Sequence, residues 1–361
     1  MSPAQFDPNV AFNDLPALPP AADLETVRVL KAVINARVEL AALNTACQLI
    51  PNPDIITSTI PLREAQASTE IEHIVTTNDE LFRAEFNVET VPNPATKEAL
   101  RYRDALRHGV ELLQLRPVSE KVAIEICSTL QGHPAHIRSA LGTFIGNPAT
   151  GERLYTPPEG DDVIQRHMAS WERYLYSDHG LDPLVLMAVA HYQFEAIHPF
   201  YDGNGRTGRI LNILLLLQEG VLDLPVLYLS GYVVKNKPDY YRLLRQVTSD
   251  GAWEEWILYM VQAATASARE THELINKLAG AQAETVERVR AAGIHPASEL
   301  AHLLFTQPYI RITNVVDSGL AKRQTAAAWL NQLVDKGILE QQKSGRSKVF
   351  TNTAALDILL N

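Results

Sequence analysis

Leu24, Val27, Leu30, Ile34, Val38 and Ala41 recur at three- and four-residue steps, the spacing of one face of an α-helix. The pattern predicts a helix opening at Asp23 as N-cap, with this stripe turned toward a core. Pro51, Asn52, Pro53 and Asp54 interrupt it, and a second helix is predicted from Pro61, a favoured first-turn residue, to about residue 79. Helical periodicity continues over 96–113, 119–131, 162–176, 183–197, 206–219, 238–249 and 253–278. Strand signals are sparse. Two short pieces, 143–145 and 153–155, flank Gly146, Asn147, Pro148 and Gly151, which predicts a hairpin standing as an isolated flap. Residues 1–22 are Pro-rich and aperiodic, and predict an extended surface arm.

The pattern changes after residue 280. An Ala- and Arg-rich helical connector over 284–293 precedes short helical segments at 297–304, 312–318 and 322–336. The stretch GILEQQKSGRSKVF then predicts two strands around Ser344 and Gly345. Three helices followed by a β-wing form the pattern of a winged helix. The expected fold is mainly α in three parts: an N-terminal arm and helical region over 1–100, a helical core with the flap over 101–280, and a linker helix with the winged helix over 281–361.

Composition narrows the function. At 361 residues with 46% apolar content, the chain can bury a sizeable core. A formal charge of −10 makes it a poor electrostatic match for nucleic acid or an anionic membrane. Cys47 and Cys127 stand apart, which argues against a disulfide framework or structural zinc and fits a reducing compartment. The N-terminus lacks the basic and apolar regions of a signal peptide, and the longest mainly apolar run, 210–217, is too short to span a bilayer. A soluble cytoplasmic protein without a membrane partner is expected.

The chemistry gathers at HPFYDGNGRTGR, residues 198–209. Gly203 and Gly205 allow a sharp turn and close approach of a ligand to the backbone. The helix beginning near Arg206 aims its free N–H groups and positive dipole end into that turn, a ready anion site. Arg206 and Arg209, three apart, can fork onto phosphate oxygens. Asp202 is a hard oxygen ligand suited to Mg²⁺ bridging phosphates, and His198 is a base that titrates near neutrality. The set reads as a polyphosphate cradle with a metal ligand and a base. A second reading makes His191, His198 and Asp202 a hydrolytic metal triad, although His191 lies about two helical turns before His198.

HPFYDGNGRTGR matches the Fic-family motif HxFx[DE]GNGRxxR at every fixed position. GTFIG and YTPP resemble the family's flap, and LYLSGYV, YYRLL and WEEWI resemble the helices after its motif, so that residues from about 20 to 280 are similar to the Fic N-terminal region and core. The resemblance implies transfer of AMP from ATP to a Tyr, Thr or Ser hydroxyl of a target protein. By it, His198 takes the hydroxyl proton and Asp202 holds Mg²⁺. Asn204, Arg206, Arg209 and the backbone from Gly203 through Gly205, Thr207 and Gly208 bind phosphates. Tyr241 meets the adenine, and Thr143, Phe144 and Ile145 of the flap dock the target by strand addition.

ASTEIEHI resembles the inhibitory motif [ST]xxxE[GN] of Fic proteins that carry their own inhibitory helix. Ser68 and Glu72 fit, whereas His73 stands where Gly or Asn is usual. The implied pair is Glu72 with Arg209, which would hold ATP in an unreactive pose. Two other readings remain open: hydrolysis of an AMP–protein bond with Glu72 aligning water, and an ATP-sensing transcription regulator. Lys322, Arg323, Lys343, Arg346 and Lys348 could meet DNA phosphates, but the C-terminal region is only slightly basic and protein docking is the favoured reading. Association into a homo-oligomer is left open.

Overall fold

The computed structural model describes residues 6–50, 53–86, 93–146, 150–344 and 347–360, apart from the side chains of Ser344 and Ser347. Pro51, Asn52, Asn147, Pro148, Gly345 and Arg346 lie outside the described residues. Helices α1 (Val27–Leu49), α2 (Asp54–Ile71), α3 (Asn78–Glu85), α4 (Pro94–Leu113) and α5 (Glu120–Gln131) lead to the hairpin of β1 (Ile145–Gly146) and β2 (Arg153–Tyr155). There follow α6 (Asp161–Tyr176), α7 (Pro183–Ile197), α8 (Asn204–Gln218), α9 (Leu229–Lys235), α10 (Lys237–Asp250) and α11 (Trp253–Ala291). Helices α7 and α8 are buried along nearly their whole length; α7 is apolar on nearly all sides, as a buried helix tends to be, whereas α8 also buries the motif arginines of its first turns. They pack on each other, with α6 and α11 against α7 and with α4 and α5 against α8.

Beyond α11 come α12 (Ala297–Thr306), β3 (Tyr309–Ile310), α13 (Ile312–Asp317), α14 (Arg323–Asp335), β4 (Glu340–Ser344), β5 (Ser347–Thr351) and α15 (Thr353–Leu360). The strands form an antiparallel sheet in the order β3-β5-β4, over a separate cluster that includes Leu300, Leu304, Leu330, Leu333 and Phe350. This region also leans on the rest of the chain: α15 packs on α11, α12 touches α2, and the Tyr309 hydroxyl donates to Asp79 of α3.

Several expectations need correcting. The N-cap of α1 is Thr26, whose hydroxyl accepts from Val29 N, and not Asp23. The buried stripe of α1 is Val29, Val33, Ala36, Leu40 and Leu43, while Val27, Ile34 and Val38 are 69%, 63% and 64% exposed. The helix carries two apolar stripes, and α11 takes the one whose Ala36 allows close approach. Pro61 lies inside α2 rather than at its start. A mid-helix proline costs about 3 kcal/mol, and burial of α2 on nearly every side offsets it. That helix ends at Ile71 rather than near residue 79. Helix α11 absorbs the expected connector in a single run of 39 residues, and α3, α15 and β3 were not foreseen. The arm is partly buried: Leu15 belongs to the core, and Phe6 and Phe12 pack their rings on Tyr155 of the flap.

The reversal of α1 is measurable. Leu40→Ala should destabilise the protein by about 2–5 kcal/mol, read from the urea midpoint, and Ile34→Ala should stay within about 0.5 kcal/mol. Equal losses would restore the predicted face.

Candidate active site

The motif joins α7 to α8. His198 is the C-cap of α7, in the left-handed conformation at φ 51° and ψ 58°. This turns the chain sharply into Pro199 and Phe200, whose ring is buried against Phe194. Asn204 then locks the loop: its Oδ1 accepts from Phe200 N and its Nδ2 donates to Phe200 O, both at 2.8 Å. Its amide is thus committed to the loop, not held out for phosphate. Gly203 at φ 83° is the N-cap of α8 and has no side-chain cap, so the first N–H groups of the helix stay open to an anion.

A residue missed in the sequence supports this loop from outside. Arg138 is fully buried. Its Nε donates to His198 O at 2.7 Å, and Nη2 donates to Pro158 O at 2.6 Å and Ile197 O at 3.2 Å. Its backbone N–H donates to Pro199 O at 2.8 Å. One buried cation therefore ties the motif loop to the base of the flap. Gln131 of α5 adds a bond to Asp202 O at 2.8 Å.

Both motif arginines are buried and paired. Arg206 meets Glu98 and Asp202, each at 3.1 Å. Arg209 donates from Nε to Ser68 Oγ at 2.8 Å, and from Nη2 to Ser68 O at 2.9 Å and Glu72 Oε1 at 2.8 Å. Burial alone would raise the Glu72 carboxyl, but the Arg209 guanidinium holds it below the ordinary range. A side chain on Gly205 would collide with Glu72 Oε1 and approach Arg209 Nη1 to 2.9 Å, so the glutamate lies over the first turn of α8. Gly208 serves a different purpose, since a Cβ there would meet Glu195 Oε1 at 2.6 Å; it lets α7 and α8 approach. Thr207 is buried in the same turn.

Burial, with Arg138 adding to it, pulls the His198 imidazole down to about 4, so it is neutral at pH 7 and able to accept a proton. The metal-triad reading fails on geometry: His191 is buried with Nε2 on the Tyr240 hydroxyl at 2.8 Å. Among the described residues no group of three or more His, Cys, Asp or Glu side chains converges on a metal position. The Asp202 side chain is 74% exposed, and a lone carboxylate fits Mg²⁺ that keeps its waters and shares phosphate oxygens.

Between the flap, α7 and α10 lies a cavity of about 260 Å³, walled by Ile145, Leu154, Tyr155, Glu195 and Tyr241 among others. Tyr241 is 45% exposed on that wall, and its neighbour Tyr240 is the core residue. Ile145 pairs with Tyr155 in the flap; Thr143 and Phe144 precede the strand, with Phe144 under the Arg153 guanidinium at 4.4 Å. Glu64, on the same helix as Glu72, is buried and takes bonds from Ser230 N, Ser230 Oγ and Tyr102 OH. Lys322, Arg323, Lys343 and Lys348 are exposed on the C-terminal region. No helix among the described residues is long and apolar enough to cross a membrane.

Residues 30–111 match the family model described as Fic/DOC family N-terminal. Residues 282–355 match that of the C-terminal domain of SoFic-like protein adenylyltransferase. The chain thus carries a Fic-type N-terminal region and a SoFic-like C-terminal domain. The Fic fold is seen again in solved structures: a Fic family protein of Desulfovibrio desulfuricans G20 aligns over 89% of this chain and 95% of its own, with a TM-score of 0.57 and 20% identity. A Fic domain containing signaling protein of Bacteroides thetaiotaomicron aligns over 69% of this chain and 97% of its own, with a TM-score of 0.55 and 20% identity. Protein adenylyltransferase Fic of Drosophila melanogaster is 35% identical over 124 residues, which are 34% of this chain and 23% of that protein. The chain thus spans under a quarter of the length of such curated Fic relatives.

The depressed imidazole gives a direct check. In NMR spectra of histidine-labelled protein, the His198 ring should titrate near pH 4, and Arg138→Met should move its midpoint upward by removing a nearby cation. A midpoint at the ordinary 6.5 in the unaltered protein would show that the ring is solvated.

Proposed function

We propose that this protein transfers AMP from ATP to a hydroxyl of a target protein and that Glu72 restrains the reaction. What supports the reading is the convergence at one corner of a neutral His198, the open N-terminus of α8 and two buried arginines paired with carboxylates that phosphates can replace. The target oxygen attacks the α-phosphorus, the bond to pyrophosphate breaks, and the hydroxyl proton passes to the His198 imidazole. Arg206 and Arg209 bind the charge that leaves with the pyrophosphate. Asp202 would hold Mg²⁺, which supplies charge neutralisation on the phosphates. Tyr241 and the apolar flap residues offer a stacking wall for the adenine. The β1 edge not paired with β2 has no partner strand among the described residues, which suits an extended target segment.

In this reading Glu72 keeps Arg209 from the γ-phosphate and repels the incoming triphosphate. The other Glu72 oxygen has no hydrogen bond within the described residues, which keeps alignment of a hydrolytic water as a second reading.

Two substitutions test the proposal with α-labelled ATP. His198→Ala should lower labelling by about 10²–10⁴ with ATP affinity nearly unchanged, and near-normal labelling would remove the base assignment. Glu72→Gly should raise labelling roughly ten- to hundredfold, the equivalent of about 1.4–2.8 kcal/mol. Unchanged labelling would end the inhibitory role, and selective loss of AMP removal from modified protein would favour the hydrolase.

A further inference from the structure

The turn that carries Glu72 is held by a residue the inhibitory motif does not include. Helix α2 closes in a Schellman arrangement: Ile74 N donates to Thr69 O at 3.1 Å and His73 N donates to Glu70 O at 3.0 Å, with His73 left-handed at φ 63°. This explains why Gly or Asn is usual there, since a side chain is disfavoured at that angle. Among the described residues the closure leaves the Ile71 carbonyl without a backbone N–H partner. Lys237, the first residue of α10, donates its ammonium to that carbonyl at 2.6 Å and stands 3.5 Å from His73 Nε2. A cation here also faces the negative end of the α2 dipole. Pro238 and Tyr241, next along the same helix, wall the 260 Å³ cavity.

We propose that Lys237 is a positioning residue for the inhibitory turn, an ammonium latch that sets how firmly Glu72 sits on Arg209. His73 departs from the motif because its ring gives the ammonium a second neighbour, which glycine could not. Without the latch, the Ile71 carbonyl loses its donor, the last turn of α2 frays, and Glu72 releases Arg209. The first turn of α10 then serves both the cavity and the restraint, so an occupant pressing on Pro238 or Tyr241 acts on the same residue run that pins Glu72. The inference rests on the restraint by Glu72 proposed above.

The test uses the full chain with Lys237→Met and Lys237→Arg, each alone and combined with Glu72→Gly. Labelling from α-labelled ATP and amide hydrogen exchange at His73 and Ile74 are both measured. Lys237→Met should raise labelling roughly three- to tenfold and speed exchange at both amides, while Lys237→Arg, which keeps a cationic donor, should stay near the starting value. In the Glu72→Gly background Lys237→Met should add nothing to labelling. Unchanged exchange in Lys237→Met overturns the latch, whatever the labelling. Lower labelling in the Glu72→Gly background also overturns it, because Lys237 would then be serving the nucleotide. If Glu72→Gly fails to raise labelling while Lys237→Met still speeds exchange, the restraint reading falls and the latch survives as a structural contact.

Discussion

A guanidinium buried at 2% exposure cannot be left without partners, because an unpaired charge in the interior costs several kcal/mol. Arg209 occupies that position on α8, and the structure around it is organised by the need to satisfy it. Ser68 supplies a hydroxyl and a carbonyl, and Glu72 supplies the countercharge. Those groups come from α2, which is why α2 must end close to the N-terminus of α8. The same constraint makes Gly205 bare, since any side chain there would strike Glu72. A triphosphate offers Arg209 a replacement partner, so one electrostatic requirement links the integrity of the fold to the chemistry of the corner.

The loop beside it follows a different rule. Its backbone is satisfied by side chains: Asn204 closes on Phe200, and Arg138 from outside the loop satisfies the carbonyls of Ile197 and His198. With these bonds made, the helix N–H groups after Gly203 are left for a ligand. Arg138 has a further electrostatic effect, because its charge and the surrounding burial both disfavour a second cation on His198. The group that holds the turn therefore also keeps the imidazole neutral.

The C-terminal region bears on this machinery through direct contacts. Helix α12 touches α2, and Tyr309 meets Asp79 just beyond the turn that carries Glu72. Helix α11 runs from the main core to the second cluster, so the two regions share a continuous helix as well as a side-chain contact.

The sequence by itself determined the parts of this protein that are local. The motif loop was legible because its turn, its glycines and its helix start lie within a dozen residues, and the spacing of Ser68 and Glu72 already put them on one side of a helix. Most helix bounds followed from periodicity and caps for the same reason. Tertiary structure decided what depends on a distant neighbour. Helix α1 has two apolar stripes, and only contact with α11 selects Val29 to Leu43 over Val27 to Val38. Glu64, Arg138 and Lys237 look like ordinary surface charges in the text of the chain. Their partners are Ser230 and Tyr102, the carbonyls of Ile197 and His198, and the carbonyl of Ile71, most of them far away along the chain. A charge reveals whether it is solvated or structural only when folding brings up the groups that replace its water, and no local pattern carries that information.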